Sequence, residues 1–318
     1  MNSMGLAFNA VFPLLAFMVL GYFLGRIRLL DEKTASGMNK LGFKVFLPLS
    51  IFQSVYNADI RSAFDVKLAV FVGLTCIASF LLISFLVNRA EKDKTIAPVM
   101  IQGMHKANYN LLTLPIIASF FGNDIGMSAV LMIIITPIVN TCSTIAFESA
   151  RGISGKKSAK DILQMVKKIL LNPMVSSSLL GLLVNASGLK IPAILMSSVV
   201  SKLGAMATPA AMLALGSGFD FKAVKKWAGR LGIVSACKLV ILPGILVTAA
   251  VFLGIRRADL IAVLIYAGAP SAVNSYSTAV SMGGNEELAG EIVAVTSILS
   301  VFTLFLFLTA MGNMGLLT

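Results

Sequence analysis

The sequence predicts an all-α membrane protein with about ten transmembrane helices, arranged as two inverted sets of five. Three observations lead to this fold class. Hydrophobic residues make up 57% of the 318 residues, charged residues only 13%, and the mean hydropathy is +0.90. Apolar stretches of roughly 20 residues, the length that crosses a bilayer core, recur along the whole chain. Basic residues concentrate in alternate loops between these stretches, as in a multi-pass membrane protein.

The spans follow one another closely along the chain. They cover about residues 8–25, 38–56, 67–88, 96–121, 127–147, 169–187, 198–219, 231–253, 258–281 and 289–311. No basic residue precedes the first apolar run, whereas Arg26 and Arg28 follow it, which is the reverse of a secretory signal peptide. We therefore expect the first span to be retained as a helix. The spans leave no stretch long enough for a soluble domain.

The net charge of +12 is explained by membrane topology rather than by nucleic-acid binding. Of the 26 lysines and arginines, 17 lie in one set of alternate loops, five lie in the other set, and four lie within the spans. Because basic residues are retained in the cytoplasm, this asymmetry predicts a multi-pass protein of the cytoplasmic (inner) membrane with both termini outside. We therefore expect membrane lipid to surround the protein, and we expect no nucleic acid as a partner.

The chain lacks the sequence features of an enzyme or a cofactor protein. Its three cysteines lie in apolar stretches and form no C-x-x-C pair, so we expect neither a disulfide frame nor a metal site. It has a single histidine, no acidic residue in the middle of a span and no G-x-x-x-x-G-K-[ST] loop. We therefore expect no catalytic residue, no cofactor and no direct use of ATP.

The longest loop divides the spans five and five, so the second set enters the membrane with opposite polarity. The predicted organisation is a first five-helix repeat over 1–147, a basic cytoplasmic linker over 148–168 and a second, inverted five-helix repeat over 169–318. Pro48 and Pro209 are expected to interrupt the second helix of each repeat. The fourth helices of the two repeats correspond more closely.

The fourth and ninth spans carry matching polar residues near their middle. The fourth reads HKANYNLLTLP over 105–115, and the ninth reads AGAPSAVNSY over 267–276. Proline breaks helical hydrogen bonds, and a neighbouring amide side chain offers a donor and an acceptor at the break. Two discontinuous helices in corresponding positions predict a solute site in the middle of the membrane. The alternative is that these residues serve helix packing alone.

Together with Leu47-Pro48, Asn172-Pro173 and Thr296…Ser300, these segments resemble the auxin efflux carrier family, whose bacterial members include permeases for malate and malonate. The resemblance covers nearly the whole chain. It implies that helices one, two, six and seven form a scaffold, and that helices three to five and eight to ten form a moving core. The fourth and ninth helices would cross at their prolines, with the substrate at the crossing.

Carried over by position, the resemblance implies a carboxylate site at this crossing. The crossing prolines would be Pro115 and Pro270, and the amides of Asn108 and Asn274 would be offered to the carboxylate. The further substrate-binding candidates beside them are Tyr109, Asn110, Ser271 and Ser275.

The charged candidates near the fourth-span motif are His105 and Lys106. His105 lies about one turn from Asn108 and would either relay a proton or pack at a helix interface. We expect the stem of Lys106 to carry its ammonium group to the cytoplasmic interface, with pairing to an anion as the alternative. The same two interpretations apply to the other lysines within the spans, Lys44, Lys202 and Lys238. Sodium or a proton as coupling ion is left open.

The predicted function is a secondary transporter, a permease that moves a small organic anion, a mono- or dicarboxylate, by alternating access. A sensor or receptor that keeps the carrier fold without turnover is the first alternative. An intramembrane enzyme is the second, and it would require a catalytic group at membrane depth. The sequence leaves the identity of the substrate, the direction of transport and the formation of a homodimer open.

Overall fold

The computed structural model describes residues 3–57, 65–121, 128–151, 167, 170–219 and 221–317. These residues form helices and short connections, with no strand among them. Four of the helices are long and apolar enough to cross a membrane by length and composition, namely Val66–Ala90, Ala193–Ser217, Ala228–Phe252 and Glu286–Asn313. The prediction of an all-α membrane protein is therefore confirmed, while the count of ten spans and their inverted order stay predictions.

The helices are numbered here in chain order. They are α1 (Ser3–Arg26), α2 (Glu32–Leu41, continued by Gly42–Phe46 and Leu47–Tyr56), α3 (Val66–Ala90), α4 (Ala97–His105), α5 (Tyr109–Phe121), α6 (Ser128–Ala150), α7 (Pro173–Ser187), α8 (Ala193–Ser217), α9 (Phe221–Lys226), α10 (Ala228–Phe252), α11 (Arg257–Gly268), α12 (Asn274–Ser281) and α13 (Glu286–Asn313). Of the predicted linker 148–168, the structure describes 148–151 and 167, and the other positions lie outside the described residues.

Several helices begin at a side chain that caps their first backbone N–H groups. Asp65 accepts from Lys67 N at 2.8 Å at the start of α3. Asn172 accepts from Met174 N at 3.0 Å at the start of α7, where Pro173 occupies the first position. Asn and Asp are preferred at this position because their side-chain oxygen satisfies an N–H that has no helical partner.

Three of the described helices contain a π-helical turn: Gly42–Phe46 in α2, Met196–Val200 in α8 and Cys237–Ile241 in α10. After the first and third of these turns, one leucine is followed by a proline, Pro48 in α2 and Pro243 in α10. A proline ring clashes with the carbonyl group four residues earlier, which in both helices lies inside the π turn, and the wider turn relieves the clash.

The interruptions expected at Pro48 and Pro209 are local distortions rather than breaks. In α2 the backbone stays helical through Pro48 after the π turn. In α8 Met206 separates two helical segments while its backbone stays in the helical region, with φ −71° and ψ −15°, and the helix continues through Pro209. Neither helix has an extended segment, because each proline lies near the start of a helical segment, where its missing N–H costs little.

Glycines bring α1, α2, α7 and α8 into backbone contact. A Cβ atom on Gly216 of α8 would lie 2.0 Å from the carbonyl oxygen of Met18 in α1. A Cβ on Gly21 of α1 would lie 2.3 Å from the carbonyl oxygen of Leu213, and one on Gly204 of α8 would lie 3.0 Å from the backbone of Ser50 in α2. Small residues at such contacts allow helices in a membrane to pack by close van der Waals contact.

The interior of the molecule surrounds α4 and α11. Every residue of α4 is buried, and in α11 so is every residue from Leu260 to Gly268. α11 contacts α5, α6, α10 and α13, and it lies at the centre of the largest group of buried apolar side chains. Both helices end inside the protein, so the segments that follow them lie in the interior as well.

Candidate functional site

Two interior helix breaks form the centre of the candidate site. The first separates α4 from α5, and there Lys106 is extended, with φ −87° and ψ 104°. The second separates α11 from α12, and there Ala269 is extended, with φ −66° and ψ 155°. Pro270 explains the second break, because proline disfavours the helical conformation of the residue before it and has no N–H to donate.

The first break does not coincide with a proline. It lies between His105 and Tyr109, whereas Pro115 belongs to α5, further along the chain. The two breaks pair instead as a single antiparallel bridge between Ala107 and Ser271. The structure thus places Pro270 next to this pairing, whereas Pro115 lies within α5 and away from it, so the crossing at both prolines expected from the sequence is not seen at Pro115.

The pairing satisfies backbone groups that each break leaves without helical partners. Asn108 N donates to the carbonyl oxygen of Pro270 at 2.9 Å, and Ala272 N donates to the carbonyl oxygen of Lys106 at 3.0 Å. Within a membrane protein an unsatisfied backbone group costs several kcal/mol. Each extended segment is therefore stabilised by the other.

Ser271 forms hydrogen bonds that connect the crossing, the paired segments around Ala107 and Ser271, to two neighbouring helices. Its Oγ donates to the carbonyl oxygen of Gly103 in α4 at 2.6 Å, and its backbone N donates to Thr296 Oγ1 of α13 at 3.1 Å. The carbonyl of Gly103 lies in the last turn of α4, where carbonyl groups lack helical partners. The hydroxyl of Ser271, which is predicted to bind substrate, thus donates its hydrogen to a backbone carbonyl group of the protein.

A small cavity of about 60 Å³ lies beside the crossing. Lys106, Asn108 and Tyr109 line it from the first break, and Asn274 lines it from the second. Asn108 Nδ2 and Asn274 Oδ1 are buried and have no hydrogen-bond partner in the described part of the protein. Two residues that line the cavity therefore carry an unused donor and an unused acceptor in their side chains.

Lys106 is buried, and the prediction that its ammonium group reaches the cytoplasmic interface is wrong. The residue is 3% exposed, and the polar contact of its Nζ is with Met174 Sδ of α7 at 3.9 Å. The ion pairs between described residues do not include Lys106. Lys106 lies at the extended break and is one of the residues that line the cavity, together with the two asparagines.

His105 faces away from the cavity. Its Nε2 lies 3.0 Å from the carbonyl oxygen of Cys76 in α3, which identifies Nε2 as the protonated nitrogen and the donor. The ring also packs edge-on against Phe80, with the centroids 5.5 Å apart. Of its two interpretations, the structure places His105 in a helix interface.

The remaining predicted residues differ in how they relate to the cavity. Ser275 is 4% exposed and its Oγ has no partner among the described residues, but it does not line the cavity. Pro270 contributes its carbonyl group to the crossing. Asn110 and Pro115 are described in the backbone of α5, and their side chains lie outside the described residues.

The sequence interpretation missed residues of α2 and α6 that line the cavity. Thr136 and Asn140 of α6 line one side, and Ile51 of α2 lines another. Asn140 Nδ2 donates to Ser178 Oγ of α7 at 3.3 Å. The polar residues of the fifth predicted span, TPIVN over 136–140, are the sequence feature that could have indicated α6.

A larger cavity of about 570 Å³ lies on the other side of α12. Tyr276 of α12 lines it, and Ser277 Oγ donates to Asn39 Oδ1 of α2 at 3.2 Å nearby. Its charged lining among the described residues is acidic and consists of Glu32, Glu286, Glu287 and Glu291. Glu291 is 3% exposed, so one carboxyl group does lie in the interior near the start of α13. The small cavity, by contrast, is lined by the cationic residue Lys106.

Comparison with known proteins identifies the family to which the chain belongs. A family model described as membrane transport protein matches residues 6–308. An uncharacterised transporter of Methanothermobacter thermautotrophicus is 25% identical over 302 residues, which are 93% of this chain and 95% of that protein. The Escherichia coli K12 uncharacterised transporter YfdV is 25% identical over 190 residues, which are 57% of this chain and 59% of that protein. The family expected from the motifs is confirmed: this chain belongs to the auxin efflux carrier family of membrane transport proteins.

Proposed function

We propose that this protein is a secondary transporter that moves a small organic anion, a mono- or dicarboxylate, across the cytoplasmic membrane. The observation that carries the proposal is the convergence of Lys106, Asn108 and Asn274 on one small cavity. An ammonium group beside an amide donor matches a carboxylate, whose two oxygens both accept hydrogen bonds. The acceptor Oδ1 of Asn274 matches a hydroxyl group or a protonated second carboxyl group of the same substrate.

The charge of the cavity supports an anion over a neutral solute. A buried ammonium group with no anionic partner is costly by several kcal/mol, and the described residues offer Lys106 no carboxylate. A bound carboxylate supplies that partner. We propose that this pairing makes substrate binding favourable despite the cost of removing the anion from water.

The size of the cavity restricts the substrate to a small acid. A cavity needs about 10–15 Å³ for one water molecule, so about 60 Å³ holds only a few waters or one acidic group with its nearest carbons. We propose that the cavity closes around the carboxylate of the substrate, and that the crossing must open to admit and release it.

We propose that access alternates across α12, which has the small cavity on one side and the larger cavity on the other. The glycine contacts among α1, α2, α7 and α8 suit a rigid scaffold, and α3 to α6 with α10 to α13 would move against it. In this proposal α1 to α6 form the first repeat, α7 to α13 form the inverted second repeat, and both termini lie outside the cytoplasmic membrane.

Uptake into proteoliposomes tests the proposal. We expect saturable uptake of a radiolabelled mono- or dicarboxylate by the wild-type protein. The Asn108→Ala/Asn274→Ala double variant should show at least about tenfold lower uptake, because one hydrogen bond to the carboxylate and one to a neutral group of the substrate are lost. Asn88→Ala is the matched control, since Asn88 is exposed near the end of α3. Equal uptake by the double variant and the wild type would contradict the site. Binding without uptake would identify a sensor instead.

A further inference from the structure

Besides Lys106, Lys238 is also buried among the residues that the structure describes, and it belongs to the π-helical turn of α10. Its exposed fraction is 0%, and its Nζ donates to the carbonyl oxygen of Tyr266 in α11 at 3.4 Å. It does not line the small cavity, and the ion pairs between described residues do not include it. The candidate site described above therefore does not use this ammonium group.

The carbonyl that Lys238 contacts is one that the second break leaves unsatisfied. In a continuous helix the carbonyl oxygen of Tyr266 would accept from the N–H four residues later, at position 270. That position is Pro270, which has no N–H. The end of α11 also carries the negative end of the helix dipole, which favours a cation there. Lys238 thus supplies both the hydrogen bond and the charge that this helix end lacks.

The close packing of α10 against α11 explains why Lys238 reaches the break. Pro243 follows the π turn of α10, and a Cβ atom on Gly268 of α11 would lie 2.9 Å from Pro243 Cβ. α10 and α11 are therefore in contact at the level of the break, and Lys238 lies on the side of α10 that faces Tyr266. Lys44, which belongs to the π turn of α2, is exposed.

We propose that Lys238 is a built-in cation of the carrier, which occupies the place where ion-coupled carriers hold a coupling cation. In such carriers the C-terminal ends of broken helices and their free carbonyl groups coordinate Na⁺. Here the ammonium group of Lys238 donates a hydrogen bond to the carbonyl oxygen of Tyr266, so transport needs no Na⁺ at this break. The inference rests on the proposed transport function and assigns Lys238 as a positioning residue that acts through α11 and Pro270.

The test compares carboxylate uptake in Na⁺ medium and in choline medium. The wild-type protein is expected to transport equally in both. Lys238→Ala is expected to transport at least about tenfold more slowly in choline medium, because a charged hydrogen bond at the break is lost. Ethylammonium or Na⁺ is expected to restore several-fold activity to this variant, because either cation can enter the space that the side chain vacates. Lys202→Ala is the control, since Lys202 is exposed in α8.

Lys238→Met provides a variant that keeps the packing but removes the charge. It is expected to keep the thermal stability of the wild type within a few degrees, to transport slowly, and to gain nothing from either cation, since its side chain fills the space. Three results would each overturn the inference. The wild-type protein could require Na⁺ for uptake, Lys238→Met could take up the carboxylate as fast as the wild type does, or neither cation could restore uptake to Lys238→Ala. Absence of uptake by the wild type in every medium would instead overturn the proposed function.

Discussion

The backbone N–H of Asn108 donates to the carbonyl oxygen of Pro270 at 2.9 Å, so each of the two helix breaks provides the hydrogen-bond partner that the other needs. This bond joins the two segments that also carry the amides of the small cavity. Any motion that separates the segments must break it. The stability of the crossing and the geometry of the cavity therefore depend on the same hydrogen bond.

The hydroxyl of Ser271 is predicted to stabilise the crossing. Ser271→Ala removes the 2.6 Å bond to the carbonyl of Gly103 and leaves a buried acceptor unsatisfied. We expect the free energy of unfolding to fall by about 1–3 kcal/mol. Thermal denaturation in detergent checks this value. Ser149→Ala, at an exposed position of α6, should change stability by less than about 0.5 kcal/mol, and an equal effect of the two substitutions would argue against a special role for Ser271.

The contact of Gly216 with Met18 is predicted to admit no side chain. Gly216→Ala would place a Cβ 2.0 Å from a backbone oxygen, which cannot rotate away, so α1 and α8 must move apart. We expect a loss of about 1–3 kcal/mol of stability, measured by thermal denaturation. Gly232→Ala is the matched control because nothing lies within 4 Å of its Cβ, and it should be neutral or stabilising by up to about 1 kcal/mol. Equal stability of the two variants would contradict the close packing of α1 and α8.

The pair of Glu91 and Arg230 predicts a pH effect on stability. The backbone N–H of Asp93 and the guanidinium of Arg230, 2.7 Å away, hold the pKa of Glu91 below its ordinary value of 4.5. A lowered pKa in the folded state gives stability that is present above pH 4.5 and is lost as the pH falls through the folded-state value. Arg230 is partly exposed, so we expect less than about 1 kcal/mol.

The measurement for this pair is the melting temperature between neutral pH and about pH 3.5. Glu91→Gln should melt lower than the wild type at neutral pH and converge with it in acid. If the difference between the two proteins stayed constant across this range, the pair would not contribute in the way described.

Lys106 is predicted to determine whether carboxylates bind. A ligand at 100 times its dissociation constant stabilises the native state by about 2.7 kcal/mol, so the right acid raises the melting temperature by several degrees. We expect such a shift for small mono- or dicarboxylates with the wild type, and none with Lys106→Gln, which lacks the charge. Lys202→Gln should behave as the wild type does. Shifts that persist in Lys106→Gln would place the binding site elsewhere.

The break before Asn274 could be predicted from the sequence, whereas the exact position of the first break could not. Pro270 disrupts its helix through its own ring, which is a local effect. The segment 106–108 contains no proline. The hydrogen bonds of its extended backbone are made with Pro270 and Ala272, which precede α12 and are distant in the chain. Pro115 therefore suggested the right helix and the wrong place in it.

The roles of the lysines depend on packing and were not available from the sequence. Lys44, Lys106, Lys202 and Lys238 all lie in apolar stretches, and all four allowed the same two interpretations. The structure exposes Lys44 and Lys202 and buries the other two. The difference arises because Lys106 lies at a helix break, and because Lys238 lies on a π turn that faces another helix.

The most direct test of the central claim is uptake of a radiolabelled small carboxylate into proteoliposomes, with the wild type and Lys106→Gln measured side by side. The account predicts saturable uptake by the wild type that unlabelled carboxylates compete away, and a KM at least about tenfold higher for Lys106→Gln because the charged hydrogen bond is lost. Uptake by both proteins with the same KM would contradict the assignment of the cavity at the helix crossing as the anion site.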